Sequence, residues 1–249
     1  MPEAPQIQAA KEALRQATRI LVITGAGISA EAGLPTYRGI SGLYNDDKTI
    51  EGLHIEEALS GEILKARPEI TWKYLLQIEE ACRAAKPSKA HLILAELEKA
   101  KEVTILTQNI DGFHQRAGSS KVIDIHGNLY DLYCSACGEK FTLASFETLA
   151  LPPVCTKCGG PVRPDVVFFG EMLSQIKMGE LYEEQQKGFD LVLSIGTTSL
   201  FPYIAEPVVY AHRLGVTTIE INPEATPVTD FSTFAFQAGA TETLEKLIR

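Results

Sequence analysis

Two short cysteine pairs, Cys134-Ser-Ala-Cys137 and Cys155-Thr-Lys-Cys158, stand apart by residues 138–154, and a glycine follows each pair. Four thiolates at that spacing form a tetrahedral zinc site, closed to further ligands and therefore structural, not catalytic. The fifth cysteine, Cys82 in EEACRAAK, reads as a half-buried helical thiol. A second group begins at Thr24-Gly25-Ala26-Gly27, which follows the apolar run RILVI. Glycines after a strand let backbone amides approach a pyrophosphate, and Ser29-Ala30-Glu31 reads as the start of a helix. With Gly33 the spacing becomes G-x-G-x5-G, longer than the ordinary dinucleotide fingerprint. Arg38, at the end of that loop, suits either a bidentate grip on phosphate or a surface salt bridge.

Two more constellations follow strands. In TQNIDGFHQRAG, Gln108, Asn109 and Asp111 offer amides and a carboxylate to a ribose or a carboxamide. Asp111 serves equally as a helix N-cap. In VIDIHGN, His126 sits between an apolar strand and a glycine, where a general base with an ordinary pKa near 6.5 works at neutral pH. The remaining histidines carry less: His91 and His212 fall within helical stretches, His114 packs under the helix after Asp111, and His54 has no chemical neighbour in sequence.

The elements that must position these groups read as an α/β alternation. RILVIT (19–24), VTILTQ (103–108), KVIDIH (121–126), DLVLSIGT (190–197) and TTIEIN (217–222) have the apolar character of parallel strands covered on both faces. Residues 3–18, 87–100, 175–188 and 202–215 have helical periodicity. The expected fold is a Rossmann-like, doubly wound parallel sheet, with ligands at the carboxyl ends of the strands. Polar groups collect at those ends: Gly25, Gln108-Asn109, His126, Gly196-Thr197 and Asn222. Segments 1–39, 86–129 and 164–249 are assigned to this sheet domain. A helical insert (40–85) and a zinc ribbon (130–163) are assigned to a smaller lobe.

The bulk numbers agree with such a protein. The chain has 249 residues, 45% of them hydrophobic, enough to bury a core without disulfides. A net charge of −9, with no basic cluster, argues against nucleic-acid binding. No apolar run is long enough to span a membrane, and the N-terminus lacks a secretory core, so a cytoplasmic location is expected.

Taken together, GAGISAEAGLPTYRG, TQNID, IHGN, the paired CxxC, RPDVVFFGEML, GTTS and INPE occur in the order found in sirtuins, and the chain resembles that family from about Arg19 to Arg249. The resemblance implies an NAD-dependent protein-lysine deacetylase with NAD as co-substrate, structural Zn2+ and acetylated-lysine protein or peptide segments as partners. NAD is then consumed, not reduced. The acyl oxygen attacks the sugar carbon as nicotinamide leaves, a ribose hydroxyl attacks the resulting imidate carbon, and water completes the release of free lysine and O-acetyl-ADP-ribose. By the same resemblance His126 is the catalytic base, with Asn109 also catalytic. Gly25, Ala26 and Gly27 meet the phosphates. Glu31, Thr36, Tyr37 and Arg38 belong to the cofactor-binding loop, whose part from Pro35 to Tyr44 shields the reactive sugar. Gln108, Asn109, Ile110 and Asp111 serve the ribose and nicotinamide pocket. Gly196, Thr197, Thr198, Asn222, Pro223, Glu224 and Ala240 serve the adenosine half. Val166, Val167, Phe168, Phe169, Gly170 and Glu171 form the strip that pairs with an extended peptide.

Two departures from the family pattern matter. Succinyl- and malonyl-preferring sirtuins carry a Tyr-x-x-Arg pair where this chain has Leu75 and Ile78, so apolar or neutral acyl groups, acetyl first, are expected. After GTTS the sequence reads LFPYIAEP, a shifted proline register that leaves the adenine-side contacts less defined. Rival readings are an NAD glycohydrolase or ADP-ribosyltransferase on the same fold, a deacylase for longer apolar chains, a hydride-transferring dehydrogenase and a non-enzymatic zinc-ribbon module.

Overall fold

The computed structural model describes residues 4–34 and 48–248. The apolar runs become the strands β1 (Arg19–Thr24), β2 (Glu102–Thr107), β3 (Val122–Asp124), β4 (Gly127–Cys134), β5 (Lys140–Thr142), β6 (Val162–Val166), β7 (Leu191–Ile195), β8 (Thr217–Ile221) and β9 (Phe234–Phe236). Between them lie α1 (Ala4–Gln16), α2 (Ala26–Ala30), α3 (Ile55–Ala58), α4 (Gly61–Ala66), α5 (Pro68–Ala84), α6 (Lys89–Leu97), α7 (Phe113–Ala117), α8 (Gln175–Gln186), α9 (Pro202–Arg213) and α10 (Ala240–Ile248).

Six strands form one parallel sheet in the order β3-β2-β1-β7-β8-β9. Alternate β1 side chains enter opposite cores, as the two-residue period of a strand requires. Ile20 and Val22 pack with Ala10, Leu14, Leu94 and Leu244 of α1, α6 and α10. Leu21 and Ile23 pack with Leu181, Ile204 and Val208 of α8 and α9 on the other face. Strand order reverses between β1 and β7, which makes their carboxyl ends the switch point where such sheets open a crevice. Charge is gathered at the other end: Glu184 accepts from Arg19, Lys121 at 2.5 Å and Lys187 at 2.6 Å, tying α8 to the start of β1.

A second, three-stranded antiparallel sheet, β5-β4-β6, begins immediately after His126. Its core joins Leu129, Leu132 and Phe146 to Trp72 and Leu75 of α5. The joint needs a glycine. Gly127 has φ +89°, and a Cβ there would lie 1.9 Å from the Asp165 carbonyl oxygen. Val167 N–H then donates to the His126 carbonyl at 2.8 Å, which seats the chain after β6 beside the histidine.

Candidate active site

The carboxyl ends of the sheet are laced together past the last ladder residues. Gln108 N–H donates to Thr24 O (3.1 Å), Gly25 N–H to Ile195 O (3.2 Å), Gly27 N–H to Gly196 O (2.8 Å) and Gly196 N–H to Ile221 O (2.9 Å). The glycines have a reason other than the one expected. A Cβ at Gly27 would meet Gly196 Cα at 2.6 Å, and one at Gly25 would meet Thr197 Cα at 2.9 Å. Their absence of side chains is required first by two strand ends packing backbone to backbone, and the amides of the following α2 start from that close packing.

A cavity of about 580 Å³ opens over these ends, within the size of a cofactor site. Gly25, Ala26, Gly27, Gln108, Asn109, Ile110, His126, Gly196, Thr197, Thr198, Asn222, Pro223 and Glu224 line one side. The whole 166–171 strip lines the other, together with Leu59, Leu75 and Ile78. The charged side chains on its described walls, Glu171 and Glu224, are both acidic. Asp111 faces an adjoining cavity of about 150 Å³, shared with Ser29, Asn109, Ile110 and Cys82. Glu31 is turned away: its carboxylate accepts from the Thr241 backbone N–H at 3.1 Å and from the Thr241 hydroxyl. Ala240 is buried at the start of α10 and does not line the cavity. Thr36, Tyr37, Arg38 and the rest of the expected shielding loop lie outside the described residues.

The polar cluster at the end of β2 is tightly wired. Asn109 Nδ2 donates to Gly25 O at 3.0 Å and to Ser29 Oγ at 3.2 Å. Ser29 Oγ in turn donates to Asp111 Oδ2 at 2.7 Å. Asp111 Oδ1 accepts from Phe113 N–H at 2.9 Å, so the carboxylate also performs the capping role open to it from sequence, although Gly112 is the N-cap of α7. Burial pushes its carboxyl upward, while the Phe113 amide and Ser29 hydroxyl hold it down. His114 is buried and bonded to Thr24 Oγ1 at 2.9 Å, as part of the scaffold under β1. Cys82 is more enclosed than expected, 3% exposed, and burial pushes its thiol up to about 12.

His126 is fixed at both nitrogens. Nδ1 lies 3.0 Å from the Gln108 carbonyl oxygen, and Nε2 lies 2.7 Å from the Tyr203 hydroxyl. A carbonyl only accepts, so Nδ1 carries the proton and Nε2 presents its lone pair, to which Tyr203 donates. Burial lowers the imidazole below its ordinary range; the Gln108 bond opposes this, and the Lys177 ammonium adds to it. The ring is therefore neutral at pH 7. Tyr203 and Phe201, both on the cavity wall, were not found from sequence. Their only signal was the altered LFPYIAEP register, which pointed to the adenine side while Tyr203 reaches the histidine instead.

None of the four paired cysteines lines either cavity. Their sulfurs lie within 4.8 Å of one another, with Cys134 and Cys158 at 3.5 Å and Cys137 and Cys155 at 3.8 Å. Tetrahedral coordination at about 2.3 Å per thiolate requires S···S separations of roughly 3.8 Å, so the donor set fits zinc.

Comparison with known proteins agrees with this geometry. The sequence model of the Sir2 family matches residues 25–201. NAD-dependent protein deacylase 2 of Pseudomonas aeruginosa is 52% identical over 223 residues, covering 88% of this chain and 87% of the relative. A protein of the same description from Pseudomonas syringae pv. tomato is 50% identical, covering 87% and 89%. Among solved structures, a Sir2 homologue–NAD complex superposes with a TM-score of 0.86 at 34% identity, covering 97% of this chain and 92% of the other. A Sir2 complex with a deacetylated p53 peptide and 3'-O-acetyl ADP ribose gives 0.84 at 29% identity, with 97% of each chain covered. A crevice at the sheet's switch point, a four-thiol cluster apart from it, and homology running through both are the marks of one lineage, and the chain belongs to the Sir2 family.

Proposed function

We propose that this chain is an NAD-dependent protein deacylase that removes acetyl groups from lysine side chains, releasing nicotinamide and O-acetyl-ADP-ribose. The observation that carries the reading is the placement of the His126 Nε2 lone pair in a cavity walled by the glycine loop and strand ends on one side and by the 166–171 strip on the other. The relatives named as NAD-dependent protein deacylases and the solved complex with a deacetylated peptide support it.

NAD, when bound, supplies an electrophilic sugar carbon with nicotinamide as its leaving group. His126 Nε2 takes a proton from a ribose hydroxyl, for which a neutral imidazole is the competent form. Asn109 holds Gly25 and Ser29 in register and so keeps the Gly25-Ala26-Gly27 turn in place beside the phosphates; the Gly25 and Gly27 amides already donate to Ile195 O and Gly196 O, so these glycines serve by letting the backbone come close. Gln108, Ile110 and Asp111 serve the nicotinamide side; Gly196, Thr197, Thr198, Asn222, Pro223 and Glu224 serve the adenosine side. Leu59, Leu75, Ile78 and Phe168 exclude water from the acyl group. The peptide runs along the 166–171 strip. The amides of Val167, Phe168 and Phe169 already donate to His126 O, Glu171 Oε2 and Leu59 O, so strand pairing draws on the strip's other backbone groups. Cys134, Cys137, Cys155 and Cys158 hold a structural zinc in a smaller lobe made from segments 40–85 and 130–163. Four reduced thiolates suit the cytoplasm.

An apolar inner wall whose described lining holds no lysine or arginine, with Arg163 already paired to Glu171, disfavours a dicarboxylic acyl group. We expect a succinyl-lysine peptide to turn over at least ~10-fold more slowly than its acetyl counterpart, the scale of one unpaired buried charge. The proposal is tested with the His126→Ala variant. Deacetylation should fall by roughly 10²-fold or more while NAD affinity, read by calorimetry, stays within a few fold. A variant that deacetylates at the wild-type rate would remove His126 from the reaction.

A further inference from the structure

The loop from β7 into α9 brings two aromatic rings to the histidine that the reaction itself does not call for. Ser199, in this loop, has φ +51°, a left-handed backbone uncommon for a residue with a side chain. Its amide is held by Thr197 Oγ1 at 3.1 Å. Beyond that turn, Phe201 and Tyr203 stack with ring centroids 5.4 Å apart and planes 14° apart. Both meet His126 edge to face, at 6.0 and 5.9 Å. The Tyr203 hydroxyl is thereby set 2.7 Å from Nε2, the one imidazole atom able to accept a proton.

We propose that Tyr203 is a positioning residue that caps the base: its hydroxyl holds His126 in the Nδ1–H form and must be displaced from Nε2 before a substrate hydroxyl can use that lone pair. This rests on the reading of His126 as the base. The phenol is suited to the part because burial pushes it up to about 12, so it stays a donor throughout the working range. Among the described residues, few groups face the imidazole. Gln108 O comes from the end of β2 and Tyr203 from α9. Lys177 comes from α8, and its ammonium is bonded to Asp124 O at 2.9 Å and Asp124 Oδ1 at 2.5 Å. Of these, only Tyr203 donates to Nε2; that donated bond favours the neutral ring and is given up when the ring is protonated and the phenol turns to accept, so its removal makes protonation easier.

The test compares wild type with Tyr203→Phe, which keeps the ring and removes the hydroxyl. The His126 tautomer and titration are followed by 15N NMR of histidine-labelled enzyme without substrate. The pH profile of kcat/KM is measured with NAD and an acetyl-lysine peptide. One hydrogen bond is worth roughly half to one pH unit, and the His126 midpoint and the acid limb of kcat/KM should both move up by about that much in the variant. A midpoint and profile that superimpose on wild type would overturn the inference and leave Tyr203 a wall residue. A shifted NMR midpoint with an unmoved kcat/KM profile would keep the cap on His126 but overturn its part in turnover, and with it the role of His126 as base.

Discussion

The proposal of His126 as the base rests on three separate facts: a strand end that exposes it, a carbonyl that fixes its tautomer, and burial that favours the neutral ring. The first was legible in VIDIHGN, because an apolar strand followed by glycine puts a histidine at the sheet's carboxyl edge. The others were not, since Gln108 and Tyr203 approach from remote parts of the chain. Asn109 illustrates the same division. Its position after a strand marked it as functional, yet its contacts, Gly25 O and Ser29 Oγ, show that it first braces the glycine loop. Asn109→Ala leaves those acceptors without their donor. We expect a stability loss of about 1–3 kcal/mol by urea denaturation, with weakened NAD binding by calorimetry. An unchanged unfolding midpoint would show that the brace is dispensable.

Elements with an unbroken apolar run were readable in advance, even the three-residue β3, and those without one were not. The five expected parallel strands all form: β1, β2, β7 and β8 are buried almost throughout, while β3 keeps three residues at the sheet edge with only Ile123 buried. Strand β9 has three residues and depends on pairing with β8, and β4 carries a register shift between Asn128 and Leu132 that breaks its alternation. The contact between the β1 and β7 ends gives a sharp prediction. Gly27→Ala places a Cβ against the Gly196 backbone, which cannot rotate away. NAD affinity should fall by about 10-fold or more, the effect of roughly 1.4 kcal/mol of lost alignment, while zinc content by atomic absorption is unchanged. Wild-type affinity would mean that the strand ends separate freely. Zinc removal acts on the other sheet. Structural zinc contributes on the order of 10–16 kcal/mol to local folding, and β4 starts at the residue after His126. Chelation should therefore abolish deacylation although no cysteine lines the cavity; full activity in a zinc-free preparation would contradict this coupling.

At the scale of the whole molecule the site is a seam, with a six-stranded sheet below, a three-stranded sheet and α5 above, and His126-Gly127 as the joint between them. That arrangement followed only in outline from the order of motifs, since it needs the pairing of β4 with β6 across the cysteine segment. The scaffold beneath the glycine loop also sets an acid limit. His91 and His114 are buried with ring centroids 4.7 Å apart. Burial lowers His91 to about 4 and, aided by His91, takes His114 well below its ordinary value. A histidine with a depressed folded pKa binds its proton more readily when unfolded, so its contribution is present above pH 6.5 and lost as pH falls. For His91 alone the loss by pH 4 is about 3 kcal/mol, and His114 acts in the same direction. Urea denaturation between pH 7 and 4.5 should show stability declining before most carboxylates titrate. A flat profile over that range would show that the pair is not buried and neutral.

The central claim is that one cavity joins NAD cleavage to acyl transfer. Mass spectrometry of the products formed from NAD and an acetyl-lysine peptide tests it most directly. The account predicts nicotinamide, deacetylated peptide and O-acetyl-ADP-ribose in equal amounts, with little nicotinamide when the peptide is left out. Nicotinamide and free ADP-ribose appearing at the same rate without peptide would contradict it.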